Sequence, residues 1–360
     1  MAVPKIRFPG FTDDWGQHKL KDEAFEIVAG GDVEKSKVVE NGKYPIYANA
    51  LTDDGIIGYY NDYYRIAAPA VTVTGRGDVG HAKARLIDFT PVVRLLAVKS
   101  KHNVYFLENS INNHKVIQES TGVPQLTVPQ LGNYYLYFPP TIEEEDAIGL
   151  FIQKVDLIIT LKQRNLGSMK LLKKSLLQKM FPKNGESLPE IRFPGFTDAW
   201  EQCKLGQIIE VKPFKPYIAE ANNTGKHPVI QQGDNPLLGY SDRNDPFNDY
   251  KSVTLFGDHT LSLFKPLEPF FVATDGVKIL SSAMYGLFFY YLLDRYKPHS
   301  EGYKRHFSIL KEQDCWITSQ NEQEKIGNFF FNLDQAIILH QRKVESLQKL
   351  KKSLLQQMFV

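Results

Sequence analysis

"TIEEEDAIGLFIQKVDLIITLKQRNLGSMKLLKKSLLQKMF" occupies positions 141–181, and "SQNEQEKIGNFFFNLDQAIILHQRKVESLQKLKKSLLQQMF" occupies 319–359. In both stretches one set of positions recurs in alternating steps of four and three. The first seam runs Ile148, Ile152, Val155, Ile159, Lys162, Leu166, Met169, Lys173, Leu176, Met180. The second runs Ile326, Phe330, Leu333, Ile337, His340, Val344, Leu347, Lys351, Leu354, Met358. Both are apolar apart from two interruptions at matching places. A mean step of about 3.5 residues held this long predicts a coiled coil, and the obvious partner for each helix is the other. Thr141 with Glu144 and Ser319 with Glu322 read as capping boxes at the two helix starts. Each helix would be roughly 58 Å long at about 1.5 Å per residue. Leu157, Ile158, Leu161, Leu171 and Leu177 widen the first apolar face, and Phe329, Ile338, Leu339 and Leu355 the second. Helices greasy beyond their seam have another surface to cover, which points to a protein partner. Two helices each folded onto its own domain would be the simpler arrangement, but it leaves those wide faces unexplained.

Working outward, the chain proves to be a duplication. "VPKIRFPGFTDDWGQHKL" (3–20) aligns with "LPEIRFPGFTDAWEQCKL" (188–205) at 13 of 18 positions. "NGKYPI" (41–46) answers "TGKHPV" (224–229), and "LKKSLLQKMF" (172–181) answers "LKKSLLQQMF" (350–359). The offset drifts slowly in one direction, as two copies differing by small deletions require. The ends of the copies match closely and the middles only at scattered points. The expected organisation is therefore a module at 1–142, a helix at 143–181, a Pro/Gly-containing break at 182–187, a second module at 188–320 and a second helix at 321–360, with the doubled octet opening each module. Short strand-like stretches such as "YPIYA", "VTVT", "HPVIQ" and "KSVTLF" make each module an α+β domain.

Composition limits the function classes. A hydrophobic content of 42%, a charged content of 23% and a net charge of +2 describe an ordinary globular protein without a global basic field. No apolar run of membrane-spanning length occurs, and the N-terminus has no signal-peptide core, so a cytoplasmic location is expected. The two cysteines, Cys203 and Cys315, have no metal-like spacing and read as free thiols. "GRGDVG" (75–80) fits the G-x-G-x-x-G pattern, yet a basic stretch and a proline follow where a helix and an acidic residue are needed. It reads as a glycine-permitted turn between strands. "NDPF" (244–247) lacks the second proline of an amino-methyltransferase motif and reads as a turn. No Walker A, H-E-x-x-H or G-x-S-x-G signature occurs, the histidines show no metal-ligand pairing, and no catalytic site and no metal site are expected.

What remains are donor-bearing clusters of the kind that contact phosphates and base edges. The turn at 75–80 would present Arg76, His81, Lys83 and Arg85 together. "NNHK" adds Asn112, Asn113, His114 and Lys115; module two offers Lys226, Lys304, Arg305 and His306. Singly, each such cluster is more often a solvated patch, and only the duplicated architecture raises the DNA reading above it. A tandem-module scaffold joining protein partners is the alternative.

The doubled "IRFPGFTD.W", the doubled "LKKSLLQ.MF" and the helix starts "PPTIEEEDAI" and "SQNEQEKI" carry a further implication. Over nearly its whole length the chain resembles the specificity (S, HsdS) subunits of bacterial Type I restriction-modification systems. The resemblance implies two target recognition domains, each reading half of a gapped double-stranded DNA site, on two helices paired as an antiparallel coiled coil. It implies that the helices dock two modification (M) subunits, which carry S-adenosylmethionine and methylate adenine. Restriction (R) subunits would add ATP- and Mg-dependent translocation and cleavage, at the nucleoid. This chain would hold no cofactor of its own. Recognition domains vary by nature, so no base-reading residue transfers from relatives.

Overall fold

The computed structural model describes residues 3–114, 124–183, 185–300, 302 and 304–360. Contacts divide the chain into two compact units, Met1–Gln163 with Lys343–Val360, and Arg164–Arg342. The long helices cross this division, so each unit holds the start of one and the end of the other.

The first unit begins with β1 (Gly16–Lys19), α1 (Leu20–Glu23) and β2 (Ala24–Ala29). Then come β3 (Tyr44–Tyr47), β4 (Ile56–Tyr60), β5 (Ala70–Thr74), β6 (Ala82–Arg85), β7 (Thr90–Pro91) and β8 (Leu95–Ser100). The helices α2 (Val104–Asn113) and α3 (Val128–Gly132), the strand β9 (Tyr135–Phe138) and the long α4 (Ile142–Lys179) follow. A four-stranded sheet in the order β2-β8-β5-β6 and a three-stranded sheet β4-β3-β7 form the module, and β1 pairs with β9 at its base. The strand β5, "AVTVT", is buried throughout, as β-branched residues covered on both faces should be. Its sheet packs on α2 through Val71, Val73, Leu96, Val98, Phe106 and Leu107.

The second unit repeats this plan element for element. Its elements are β10 (Glu201–Lys204), α5 (Leu205–Ile208), β11 (Glu210–Lys212), β12 (His227–Ile230), β13 (Leu237–Ser241) and β14 (Val253–Gly257). After them run β15 (Leu263–Phe264), β16 (Phe271–Val272), β17 (Val277–Ser281), α6 (Gly286–Tyr296), α7 (Phe307–Lys311), β18 (Asp314–Ile317) and α8 (Gln320–Met358). The sheet orders β11-β17-β14-β15, β13-β12-β16 and β10-β18 copy those of the first unit, including the parallel pairing of β12 with β16 that matches β3 with β7. The poorly matching middles of the two copies are thus one topology with different surface residues.

The helices pair as an antiparallel coiled coil. Between 161 and 176 only Lys162, Leu166, Met169, Lys173 and Leu176 escape full exposure; between 341 and 350 only Val344 and Leu347 do. Two polar interruptions are ion pairs between the helices. Lys351 reaches Asp156 at 2.6 Å in the first unit, and Lys173 reaches Asp334 at 2.7 Å in the second. The Tyr291 hydroxyl also donates to Asp334.

The doubled octet is a clasp at the module base. Arg7 grips Glu144 with two hydrogen bonds of 2.8 Å, and Arg192 grips Glu322 at 2.7 and 2.8 Å. Both carboxylates are buried. This corrects the capping-box reading: Glu144 and Glu322 face a guanidinium from the octet, and Glu322 also accepts from the Thr318 hydroxyl. The glycine of each octet has positive φ, +99° at Gly10 and +91° at Gly195, a turn that favours a residue without Cβ. Phe8 then meets Phe151 edge-on at 5.7 Å, as Phe193 meets Phe329 at 5.7 Å.

The octet also holds the other copy's helix. In the first unit the Ile6 amide donates to the Gln357 carbonyl at 3.0 Å, and Trp15 packs on Phe106 and Phe359. In the second unit the Ile191 amide donates to the Lys179 carbonyl at 2.9 Å, and Trp200 packs on Phe181 and Phe288. Each doubled tail "QKMF/QQMF" therefore closes the core of the opposite copy.

Candidate nucleic-acid interface

In each module the loops at one end of the main sheet are tied into a rim by hydrogen bonds. In module one the turn after β5 begins at Gly75, whose amide donates to Asn49 Oδ1 at 2.8 Å. Asn49 Nδ2 donates to the Val93 carbonyl at 3.1 Å, and the Leu126 amide to the Gly75 carbonyl at 2.9 Å. Four segments thus converge where a Cβ on Gly75 would stand 2.2 Å from the Arg94 carbonyl oxygen, so only glycine fits. Arg94 itself has φ +71°, an uncommon conformation for a residue with a side chain. The exposed side chains of this rim include Arg76, His81 and Gln125, with Asp78 at 3.5 Å from His81.

Module two builds its rim from the equivalent segments. The His259 amide donates to Gln232 Oε1 at 3.1 Å, and the Asp258 amide to the Gly276 carbonyl at 2.9 Å. The buried Asp258 also receives the amides of His306, at its carbonyl, and of Phe307, at its carboxylate. Lys304 and Arg305 project from this framework into solvent; Arg305 stands 4.0 Å from Asp275. Lys278 lies 3.9 Å from Asp258. The two rims share a scaffold and differ in chemistry.

The sequence-derived candidates divide accordingly. Arg76, His81, Lys304 and Arg305 are exposed on the rims, and Lys83 is exposed on β6 beside the first. Arg85 does not join them. Its guanidinium is buried, donating to Thr72 Oγ1 at 3.0 Å and Asp54 Oδ2 at 2.6 Å, and it lies 3.6 Å over the Tyr47 ring. It sits at the end of β6 away from Gly75, so it holds the β3–β4 connection on the sheet. His306 is fully buried, with Nδ1 facing the Asp258 carbonyl at 3.2 Å. Asn112 clamps α2 to β6, bonding the Ala82 amide and carbonyl at 2.8 and 3.0 Å. Asn113 and His114 line a cavity of about 280 Å³ beside Trp15 and Phe359, at the module base. The His114 ring lies tilted against Tyr134 with centroids 4.2 Å apart, and burial pushes its pKa down. Lys226 is exposed but precedes β12, at the opposite end of that strand from Gln232. Lys115 lies outside the described residues.

Asn49, Arg94, Gln125, Gln232, His259 and Asp275 escaped the sequence reading. A signal existed for two of them: an amide directly follows each copy of the aligned strand, "YPIYAN" (44–49) and "HPVIQQ" (227–232).

Fold and rims define a class, two copies of one α+β module mounted on paired helices, each offering an irregular polar edge. Residues 12–168 match the family described as the Type I restriction modification DNA specificity domain. Two putative type I specificity subunits of Mycoplasma pneumoniae are each 31% identical to it, over 142 and 134 residues, or 37% and 35% of this chain. These alignments span 38% and 44% of the relatives' own lengths. The crystal structure of a Type I S subunit from M. genitalium shares the fold with a TM-score of 0.71 at 16% identity, covering 100% of this chain and 99% of that one. A chain from a study of the assembly and conformational transition of a type I R-M system gives 0.53 at 15% identity, covering 98% of both. Among the described residues no helix is long and apolar enough to cross a membrane.

Proposed function

We propose that this chain is the DNA-reading subunit of a Type I restriction-modification complex and binds a bipartite, gapped duplex site, one half-site per module. The observation that carries the reading is the pair of rims: equivalent loops on one duplicated scaffold present Arg76, His81 and Gln125 in one module and Gln232, His259, Lys304 and Arg305 in the other. Guanidinium and amide groups read base edges in the major groove, and ammonium groups position phosphates. Such a division of labour needs a common frame and unlike edges.

The paired helices serve as spacer and as docking surface for two methyltransferase subunits. Leu157, Leu161, Leu171 and Leu339 lie exposed along them at 48–70%, more apolar surface than a solvated rod needs. S-adenosylmethionine belongs to those subunits, and ATP and Mg to the restriction subunits; this chain recognises and assembles, without chemistry of its own. Gel shifts with genomic fragments, with and without the methyltransferase subunit, test the reading. Salt-sensitive retention of a discrete set of fragments supports it. Retention of the methyltransferase without any fragment preference would favour a protein scaffold instead.

A further inference from the structure

The chain has only two cysteines, and they are direct cross-strand partners: β10 and β18 run antiparallel with Cys203 opposite Cys315 and the two sulfurs 3.4 Å apart. We propose that Cys203 and Cys315 form a dithiol–disulfide couple, a covalent modification site that takes a peroxide-class oxidant and staples the first strand of module two to its last. The inference is independent of what the module binds.

Three observations carry it. Directly opposed residues on antiparallel strands hold their Cβ atoms about 4.5–5.5 Å apart, and a disulfide needs about 3.5–4.5 Å. The sulfurs are already in contact, so closure asks only for side-chain rotation and a small approach of two strands. Second, the two thiols differ in access: Cys203 is partly exposed and Cys315 is buried. That is the arrangement of an attacking and a resolving thiol. Third, the site is confined to one copy, because the matching pair in β1 and β9 is His18 opposite Leu136.

The chemistry balances. The Cys203 thiolate attacks hydrogen peroxide, giving a sulfenic acid and hydroxide. The Cys315 sulfur then displaces the sulfenic oxygen, which leaves as water with the Cys315 proton, and the S–S bond forms. Two thiols are oxidised by two electrons and one peroxide is reduced. Burial pushes both thiols up, so the thiolate is scarce at neutral pH and the reaction is slow. Because β10 follows the octet clasp and β18 leads into α8, the bond would close residues 203–315, the body of module two, into a covalent loop. Long loops lose the most unfolded-state freedom when closed, in the chain-entropy account.

The full chain is treated with hydrogen peroxide, quenched, and mapped by non-reducing peptide mass spectrometry beside an untreated sample. The expected product is a peptide pair joined through Cys203 and Cys315, lighter by two hydrogens and separated again by dithiothreitol. The thermal transition of the second unit should rise on oxidation and return on reduction, while that of the first stays fixed. Cys203→Ser and Cys315→Ser should each abolish both the crosslink and the shift. Oxygen-bearing or intermolecular products on wild-type protein, without the intramolecular pair, would overturn the proposal whether or not the variants fold.

Discussion

Arg7 and Arg192 show how one residue can tie a module to its rod. Each guanidinium meets a carboxylate that is 1% or less exposed. Removing one partner of a buried pair strands the other charge, at a cost of about 3–5 kcal/mol. Arg7→Ala should therefore lower the denaturation midpoint of the first unit, and Arg192→Ala that of the second, read by urea titration. Replacing Arg7 and Glu144 together by Met and Leu should restore most of the loss. A second residue-scale prediction separates two arginines that look equivalent in "GRGDVGHAKAR". Arg76→Ala should relax or weaken one DNA half-site without a stability change beyond about 0.5 kcal/mol, as expected of a surface substitution. Arg85→Ala should leave the Asp54 carboxylate and the Tyr47 ring without their partner and destabilise module one, read by thermal melting. If Arg76→Ala weakened every DNA equally, the side chain would be a phosphate contact.

At the scale of elements, two long helices were legible in sequence, because burial along a long helix follows one periodicity. Lys173 and Lys351, polar interruptions of the 4-3 spacing, face Asp334 and Asp156. The clasp was not legible. Repeats align a copy with itself, whereas Trp15 meets Phe359 and Trp200 meets Phe181, contacts between copies that no alignment displays. The T-x-x-E pattern misled because a glutamate at that position can serve a cap or a distant guanidinium, and local spacing cannot distinguish them. Arg85 was misplaced for a related reason. Lys83 and Arg85 share a strand face, but the Asp54 turn covers only the Arg85 end of it. The seam makes its own prediction. Inserting one heptad in α4 and one in α8 at facing positions adds about 10.5 Å, comparable to three base pairs at about 3.4 Å each. The unread gap should widen by about that much with both half-sites unchanged. An insertion in one helix alone should shift the seams out of register and destabilise the chain. Mapping the methylated sequence checks both.

For the whole molecule, the crosswise closure implies that the order of the copies is immaterial to the fold. The Ile6–Gln357 bond at one base matches the Ile191–Lys179 bond at the other, where the sequence runs on from 179 to 191. A circular permutant opened within 184–186, with its original ends joined by a bridge of similar length, should therefore fold with a melting temperature close to that of the parent and retain its DNA fragments in gel shifts. Failure to fold would show that the two bases are not interchangeable.

The most direct measurement is single-molecule mapping of methylated adenines in cells expressing this chain with its methyltransferase subunit, repeated after substituting the rim residues Gln232, His259, Lys304 and Arg305 of module two. The parent should mark a bipartite motif with an unread gap. The variant should change one half of that motif and preserve the other half and the gap. An uninterrupted motif, or a change in both halves at once, would contradict the assignment of one half-site to each module.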